Sequence, residues 1–138
     1  VAAGNARFGI PEAKRGLVAA AGGLVRLPRM VPYRFALELA LTGDMIPASR
    51  AYELGLVNRI VAAGEALEGA LALAGAIVAN GPLAVATSKR VMRDSVEWSA
   101  AEMWPKQEAA TAPIFASEDA REGAAAFAEK RAPVWKGK

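Results

Sequence analysis

The sequence predicts an α/β fold in which a few short strands precede a largely helical remainder. Three observations carry this. Val1-Ala2-Ala3 and Ala6-Arg7-Phe8 flank Gly4-Asn5, the pattern of two short strands around a two-residue hairpin turn. Leu56–Val61 is an apolar, β-branched run of strand length. From Glu65 onward the segments carry helical spacing or composition, punctuated by Pro and Gly.

The opening hairpin is marginal by itself, so its strands are expected to pair with sheet from outside this chain. The 138 residues suffice for one domain, yet the first strand is cut short at Val1. The expectation is part of a larger fold, either its C-terminal portion or one half of a split one. A hydrophobic share of 54%, much of it alanine, points the same way, toward burial against another chain.

Next comes a stiff corner. Pro11 fixes its own φ and biases Ile10 toward extended backbone, so Glu12 is presented from a rigid bend. Ala19-Ala20-Ala21-Gly22-Gly23 has almost no side-chain bulk and lets backbone N–H groups approach a ligand. Gly23 is placed to open a helix, whose free N–H groups would add a positive field. A carboxylate facing such an opening can hold a water or an anionic group. The competing reading is a tight turn with a solvated Glu12.

Leu24–Leu27 reads as a short helical turn stopped by Pro28. A helix is predicted from Pro32, in its first turn, to about Leu41, with Gly43 just past its end. Phe35, Leu37, Leu39 and Leu41 crowd more than one of its sides, which predicts burial between layers. Pro47 and Ser49 start a short helix closed by Gly55, and the Leu56–Val61 strand follows. Glu65–Asn80 is the clearest amphipathic helix, with Leu67, Ala70, Leu71, Ala74, Ile77 and Val78 on one side. Pro82 begins the next, with Val85, Val91 and Met92 opposite Lys89, Arg90, Arg93 and Asp94. Ser99–Ala116 has helical composition but holds Pro105 and Pro113, so a kink or break is predicted there. Ser117 caps a last helix that runs to about Arg131, before Pro133. Trp98, Trp104 and Trp135 read as packing or interface anchors, and Met30, Met45, Met92 and Met103 as gap-fillers.

Composition excludes several chemistries. There is no Cys, hence no disulfide framework and no thiolate. There is no His, hence no Ser-His-Asp triad, and the usual zinc ligands are missing. Seventeen Lys and Arg against 14 Asp and Glu give +3, but the charges alternate in sign without a dense basic run, which argues against a nucleic-acid partner. No 18-residue apolar run free of charge or Pro suggests a membrane span, and no signal peptide is evident, so a cytoplasmic location is the default expectation.

Several separate stretches together resemble one family. They are Ala6-Arg7-Phe8-Gly9-Ile10-Pro11-Glu12, Gly16, Ala21-Gly22-Gly23, Arg26-Leu27-Pro28-Arg29, Leu41-Thr42-Gly43, Ala48 and Gly55-Leu56-Val57-Asn58. Gly81-Pro82 with Lys89, Ser117-Glu118-Asp119, Glu122-Gly123, Phe127 and Glu129-Lys130-Arg131 continue the likeness. In order and spacing the chain resembles the C-terminal half of the enoyl-CoA hydratase (crotonase) family.

That resemblance implies a spiral of ββα turns followed by a helical trimerisation region, with residues 1–62 as the last turns of the spiral and 63–138 as the helical part. It implies an acyl-CoA substrate, a homotrimer or hexamer, and no cofactor beyond the coenzyme A carried by the substrate. Glu12 matches the second of two catalytic glutamates. The Ala20 backbone matches the position that bonds the reacting water, and Ile10 would line the acyl pocket. Ala19 stands where the family commonly has proline. Phe127 and Lys130 match residues that reach the CoA of a neighbouring subunit; three apart, they would share a helix face. Without the family they read as a core Phe and a solvated Lys. The first glutamate and the oxyanion-hole amides would lie in the missing N-terminal half, leaving this chain inactive alone. The reaction implied is hydration of a 2-enoyl-CoA in fatty acid degradation. A double-bond isomerase and a non-catalytic assembly module are the alternatives.

Overall fold

β1 (Ala2–Ala3) and β2 (Arg7–Phe8) do not pair with each other. The computed structural model describes residues Val1–Lys138, and in it β1 runs parallel to β4 (Ile60–Val61), with Ala2 opposite Ile60. β2 runs antiparallel to β3 (Ile46–Pro47), with Phe8 opposite Ile46. The predicted hairpin is therefore corrected, and the reason is local. The Ala6 N–H does bond Ala3 O at 2.9 Å across Gly4-Asn5. Neither turn residue has positive φ, whereas the two-residue turns whose twist suits a hairpin require it. The strands part and find partners elsewhere.

The chain forms two compact units, Val1–Ala72 and Leu73–Lys138. In the first, α1 (Gly23–Met30) runs two residues beyond Pro28, its expected stop. Pro28 removes one donor to the carbonyl of Leu24, but the Val31 N–H still reaches Leu27 O at 3.1 Å, so the ladder resumes at once. α2 (Tyr33–Thr42) has Pro32 as its cap rather than in its first turn, because ψ 133° at Pro32 is extended. Ala36 and Leu39 are buried but Leu41 is 73% exposed, so α2 buries one face and not several. α3 (Ala48–Glu53) buries Ala48 and Ala51 completely. Only the end of the predicted Leu56–Val61 strand is extended. Its start is spent closing α3, since the Leu56 and Val57 N–H groups both donate to Ala51 O at 2.8 and 3.3 Å. α4 (Ala66–Val78) begins against the β1–β4 pair: a Cβ on Gly69 would lie 2.8 Å from Val61 Cγ1 and 3.1 Å from Val1 Cγ1. Its apolar residues Leu67, Leu71, Ile77 and Val78 are exposed.

The second unit holds α5 (Pro82–Asp94), a short 3₁₀ turn, α6 (Ala100–Phe115) and α7 (Glu118–Glu129). α6 runs unbroken through Pro105 and Pro113, against the predicted break. Its start is strongly fixed: the Glu102 carboxylate accepts the Ser99 N–H at 2.9 Å, the Ser99 hydroxyl at 2.7 Å and Lys106 Nζ at 2.7 Å. Pro113 forfeits the N–H that would bond Ala109 O, and α6 continues only two residues past it, to Phe115. Ser117 caps α7 as expected, accepting the Ala120 N–H at 3.0 Å, but α7 ends at Glu129, short of Arg131. Trp135 packs its ring over Gly81 and Gly123 and donates Nε1–H to Ala79 O at 2.8 Å. Trp104 is 74% exposed, and Met30, Met92 and Met103 are exposed rather than filling gaps.

Two expectations follow. Gly43, at φ +65°, lies where a Cβ would be 3.0 Å from Lys14 Cγ and 3.3 Å from Pro11 Cα. Gly43→Ala should therefore lower stability by about 1–2 kcal/mol, read as a lower denaturant midpoint; an unchanged midpoint would refute the clamp. The second concerns pH. Lys106 and Ser99 hold the Glu102 carboxyl down at about 2, and Arg131 with the Val134 N–H hold Glu122 at about 2, against 4.5 ordinarily. Both values are depressed in the folded state, so the stabilisation is complete above pH 4.5 and drains away as pH falls toward 2. Unfolding midpoints measured across that window should fall. Glu102→Gln and Glu122→Gln should each flatten the decline.

Candidate functional site

Residues Pro11–Arg15 form one 3₁₀ turn. Ile10 before it is extended, at φ −128° and ψ 82°, as a residue ahead of proline should be. Gly16 closes the turn at φ 66°, and the Leu17 N–H returns to Glu12 O at 3.1 Å.

Three contacts from the loop after α2 hold this corner. Gly43 lies against Pro11 so that a Cβ would be held tightly, 3.3 Å from Pro11 Cα. Lys14 Nζ pairs with Asp44. On the strand side, a Cβ on Gly9 would meet Asp44 O at 2.9 Å, and Met45 Sδ is closer still. Glu12 thus stands on a bend whose backbone is fixed from two directions.

Its side chain is half-buried. Oε2 is fully buried and has no hydrogen-bond partner in the chain. Buried carboxylate oxygens are ordinarily bonded, because an unsatisfied acceptor keeps its whole desolvation penalty. The reading of Glu12 as a solvated turn residue is corrected by this burial. An acceptor held in place and left unsatisfied is suited to take a hydrogen from a bound molecule.

The small-residue run behaves largely as expected. Gly23 opens α1, with Gly22 before it at φ 95°. A Cβ on Gly23 would lie 3.4 Å from both Ala19 Cβ and Ile10 Cγ2, so this loop, the helix opening and the residue before the corner pack together. Arg26 turns back to donate to Ala21 O at 2.8 Å. Ala19 is buried and Ala20 exposed. The Ala20 N–H already donates to Val18 O at 2.8 Å, leaving its carbonyl as the backbone group open to a further bond.

Ile10 lines two apolar clefts. One, of about 240 Å³, is bounded by Gly23, Leu24, Tyr33, Leu37 and Leu41. The other, of about 220 Å³, is bounded by Phe8, Arg26, Met30, Leu39 and Leu56. Ile10, Ala19, Gly23 and the Glu12 turn are therefore brought together within the first unit. No group of three acidic or other metal-ligating side chains is present.

Phe127 and Lys130 belong to the second unit. Phe127 is 88% exposed, which corrects the reading of it as a core residue. Lys130 is not on the helix: it follows the end of α7 at φ 54° and ψ 38°, so the two residues do not share a helix face. Sequence spacing missed this because a left-handed lysine has no local signature. Also missed were Gly43 and Asp44 as the clamp on the corner, and the bond from Arg131 to Glu122, nine residues back.

Comparison with known proteins adds an independent line. The family described as enoyl-CoA hydratase/isomerase matches residues 1–138. Enoyl-CoA hydratase EchA19 of Mycobacterium tuberculosis is 47% identical over 96% of this chain and 50% of its own length. Carnitinyl-CoA dehydratase of Salmonella typhi is 42% identical over 100% of this chain and 54% of its own. Among solved structures, an enoyl-CoA hydratase from Mycobacterium tuberculosis H37Rv superposes with a TM-score of 0.95 at 56% identity, over 99% of this chain and 54% of that one. The chain spans about half the length of the relatives it matches. With a whole-chain family match and relatives 42% and 47% identical, this chain belongs to the enoyl-CoA hydratase/isomerase family.

Proposed function

We propose that this chain is the C-terminal half of an acyl-CoA enzyme that adds water across the double bond of a 2-enoyl-CoA, giving a 3-hydroxyacyl-CoA in fatty acid degradation. The oxygen of water bonds the β-carbon and a proton is added at the α-carbon. Glu12 is one of the two carboxylates that manage these transfers. The observation that carries this is the buried Glu12 Oε2 with no hydrogen-bond partner, on a corner fixed by Gly43 and Asp44.

In this reading the Ala20 backbone helps seat the water, and Ile10 lines the acyl pocket, which the apolar clefts beside it support. The other carboxylate and the oxyanion-hole amides come from the other half. Because that hole stabilises the charge developing on the thioester oxygen, the present half is inactive alone. Residues 63–138 form the helical region that packs between subunits in a trimer or hexamer, a role favoured by the exposed apolar side chains of α4. Phe127 and Lys130 reach the CoA of a neighbouring subunit, a ring to cover it and a cation for a phosphate. Substrate-borne CoA is the only cofactor invoked.

The test is hydration of crotonyl-CoA by the full-length protein, followed by loss of enoyl absorbance. Glu12→Gln should reduce kcat by roughly 10²–10⁴ with the oligomer intact. It should not lower the unfolding midpoint, since Oε2 loses no bond. Near-normal turnover in this variant would remove Glu12 from the mechanism. Interconversion of 2- and 3-enoyl-CoA without hydration would select the isomerase, and intact trimers with no turnover the assembly module.

A further inference from the structure

Lys130 is the one residue other than glycine at positive φ in this chain. Its N–H donates to Phe127 O at 3.3 Å, and the Arg131 N–H donates to Ala126 O at 3.0 Å. This is the double bond pattern of a Schellman helix stop, a position that glycine favours. A lysine there is strained, and such strain persists only where the surroundings impose it, often at ligand clamps.

The surroundings are a latch on the residues that follow. Arg131 Nη1 and Nη2 donate to the two oxygens of Glu122 at 2.6 and 3.0 Å, a two-point bond that lysine could not make. Glu122 Oε1 also accepts the Val134 N–H at 2.8 Å. Arg131 Nε bonds Glu129, on the other side of Lys130. The chain is therefore tied down both before and after Lys130. The Lys130 ammonium itself is exposed and has no partner, and the Phe127 ring three residues earlier is open as well. A helix stop alone would need neither a strained lysine nor this latch.

We propose that Glu122 and Arg131 are positioning residues. Their two-point bond imposes the left-handed backbone at Lys130 and so sets the direction in which its exposed side chain leaves the end of α7, to take a phosphate of the CoA thioester. The inference rests on the reading of Phe127 and Lys130 as CoA contacts. Glu122 stays charged at neutral pH, its carboxyl being held down at about 2, so the latch does not open in the working range.

The experiment uses the full-length protein and two thioesters of one acyl chain, one on CoA and one on pantetheine, which lacks the nucleotide phosphates. Lys130→Ala should raise KM for the CoA thioester roughly fivefold or more and leave the pantetheine thioester unchanged. Glu122→Gln and Arg131→Lys should do the same, each with kcat within about twofold of the parent. Glu122→Asp should recover part of the loss. Combining Glu122→Gln with Lys130→Ala should raise KM no further than Lys130→Ala alone. Lys130→Gly should raise the unfolding midpoint while weakening the CoA thioester. Equal losses for both thioesters, or additive effects in the double variant, would reduce the latch to a structural helix stop. Should Lys130→Ala leave the CoA thioester untouched, the CoA reading of Lys130 fails first and the latch proposal falls with it. If Glu122→Gln does not fold, Arg131→Lys carries the same test.

Discussion

Pro11 and Gly43 meet so closely that a single added methyl would sit 3.3 Å from Pro11 Cα and 3.0 Å from Lys14 Cγ, tighter than an ordinary contact. Almost everything of interest in the first unit follows from that approach. It needs glycine at a left-handed position ending α2, and it needs the 3₁₀ turn to start at a proline. With the Lys14–Asp44 pair beside it, it sets the corner on which Glu12 stands. The clamp fixes the backbone from which the Glu12 side chain leaves, and the atoms packed over Oε2 keep that oxygen from water.

What could be read in the sequence depended on how local its cause was. The proline corner, the glycine ends of α2 and α3, the α1 opening at Gly23 and the Ser117 cap all have causes within four residues, and they stand where expected. Strand pairing did not. β1 pairs with β4 across nearly sixty residues, and Gly4-Asn5 suggested a nearer partner that its backbone angles do not permit. The prolines of α1 and α6 misled for another reason. One missing hydrogen bond ends a helix only when nothing else holds the following turn. At the candidate site, Glu12 and Ile10 were legible as a pattern. The burial of Oε2, the Gly43 contact and the left-handed Lys130 depend on residues that only folding brings near.

The distribution of apolar surface separates stability from assembly. The buried residues are mostly alanines, with Val31 and Leu39 as the larger contributors, and no large side chain is fully enclosed. Leu67, Leu71, Ile77 and Val78 lie instead on the outside of α4, and Trp104 and Phe115 on the outside of α6. Hydrophobic stabilisation scales with apolar area removed from water, about 25 cal/mol per Å². A chain with this arrangement keeps much of that potential unused within its own boundary. The family match over half the length of its relatives and the two short, separate strand pairs agree with that arrangement.

The tail after α7 closes over the second unit through one indole. Trp135 packs against Gly81 and Gly123 and gives its N–H to the carbonyl of Ala79, while the Asp119 carboxylate accepts the N–H groups of Lys136 and Gly137. Two glycines far apart in sequence thus serve as the floor of a single aromatic slot. The emission of that ring is consequently an internal gauge of whether the last few residues are seated. It reports from a half-buried place, in a spectrum shared with the half-buried Trp98 and with Trp104, open to water.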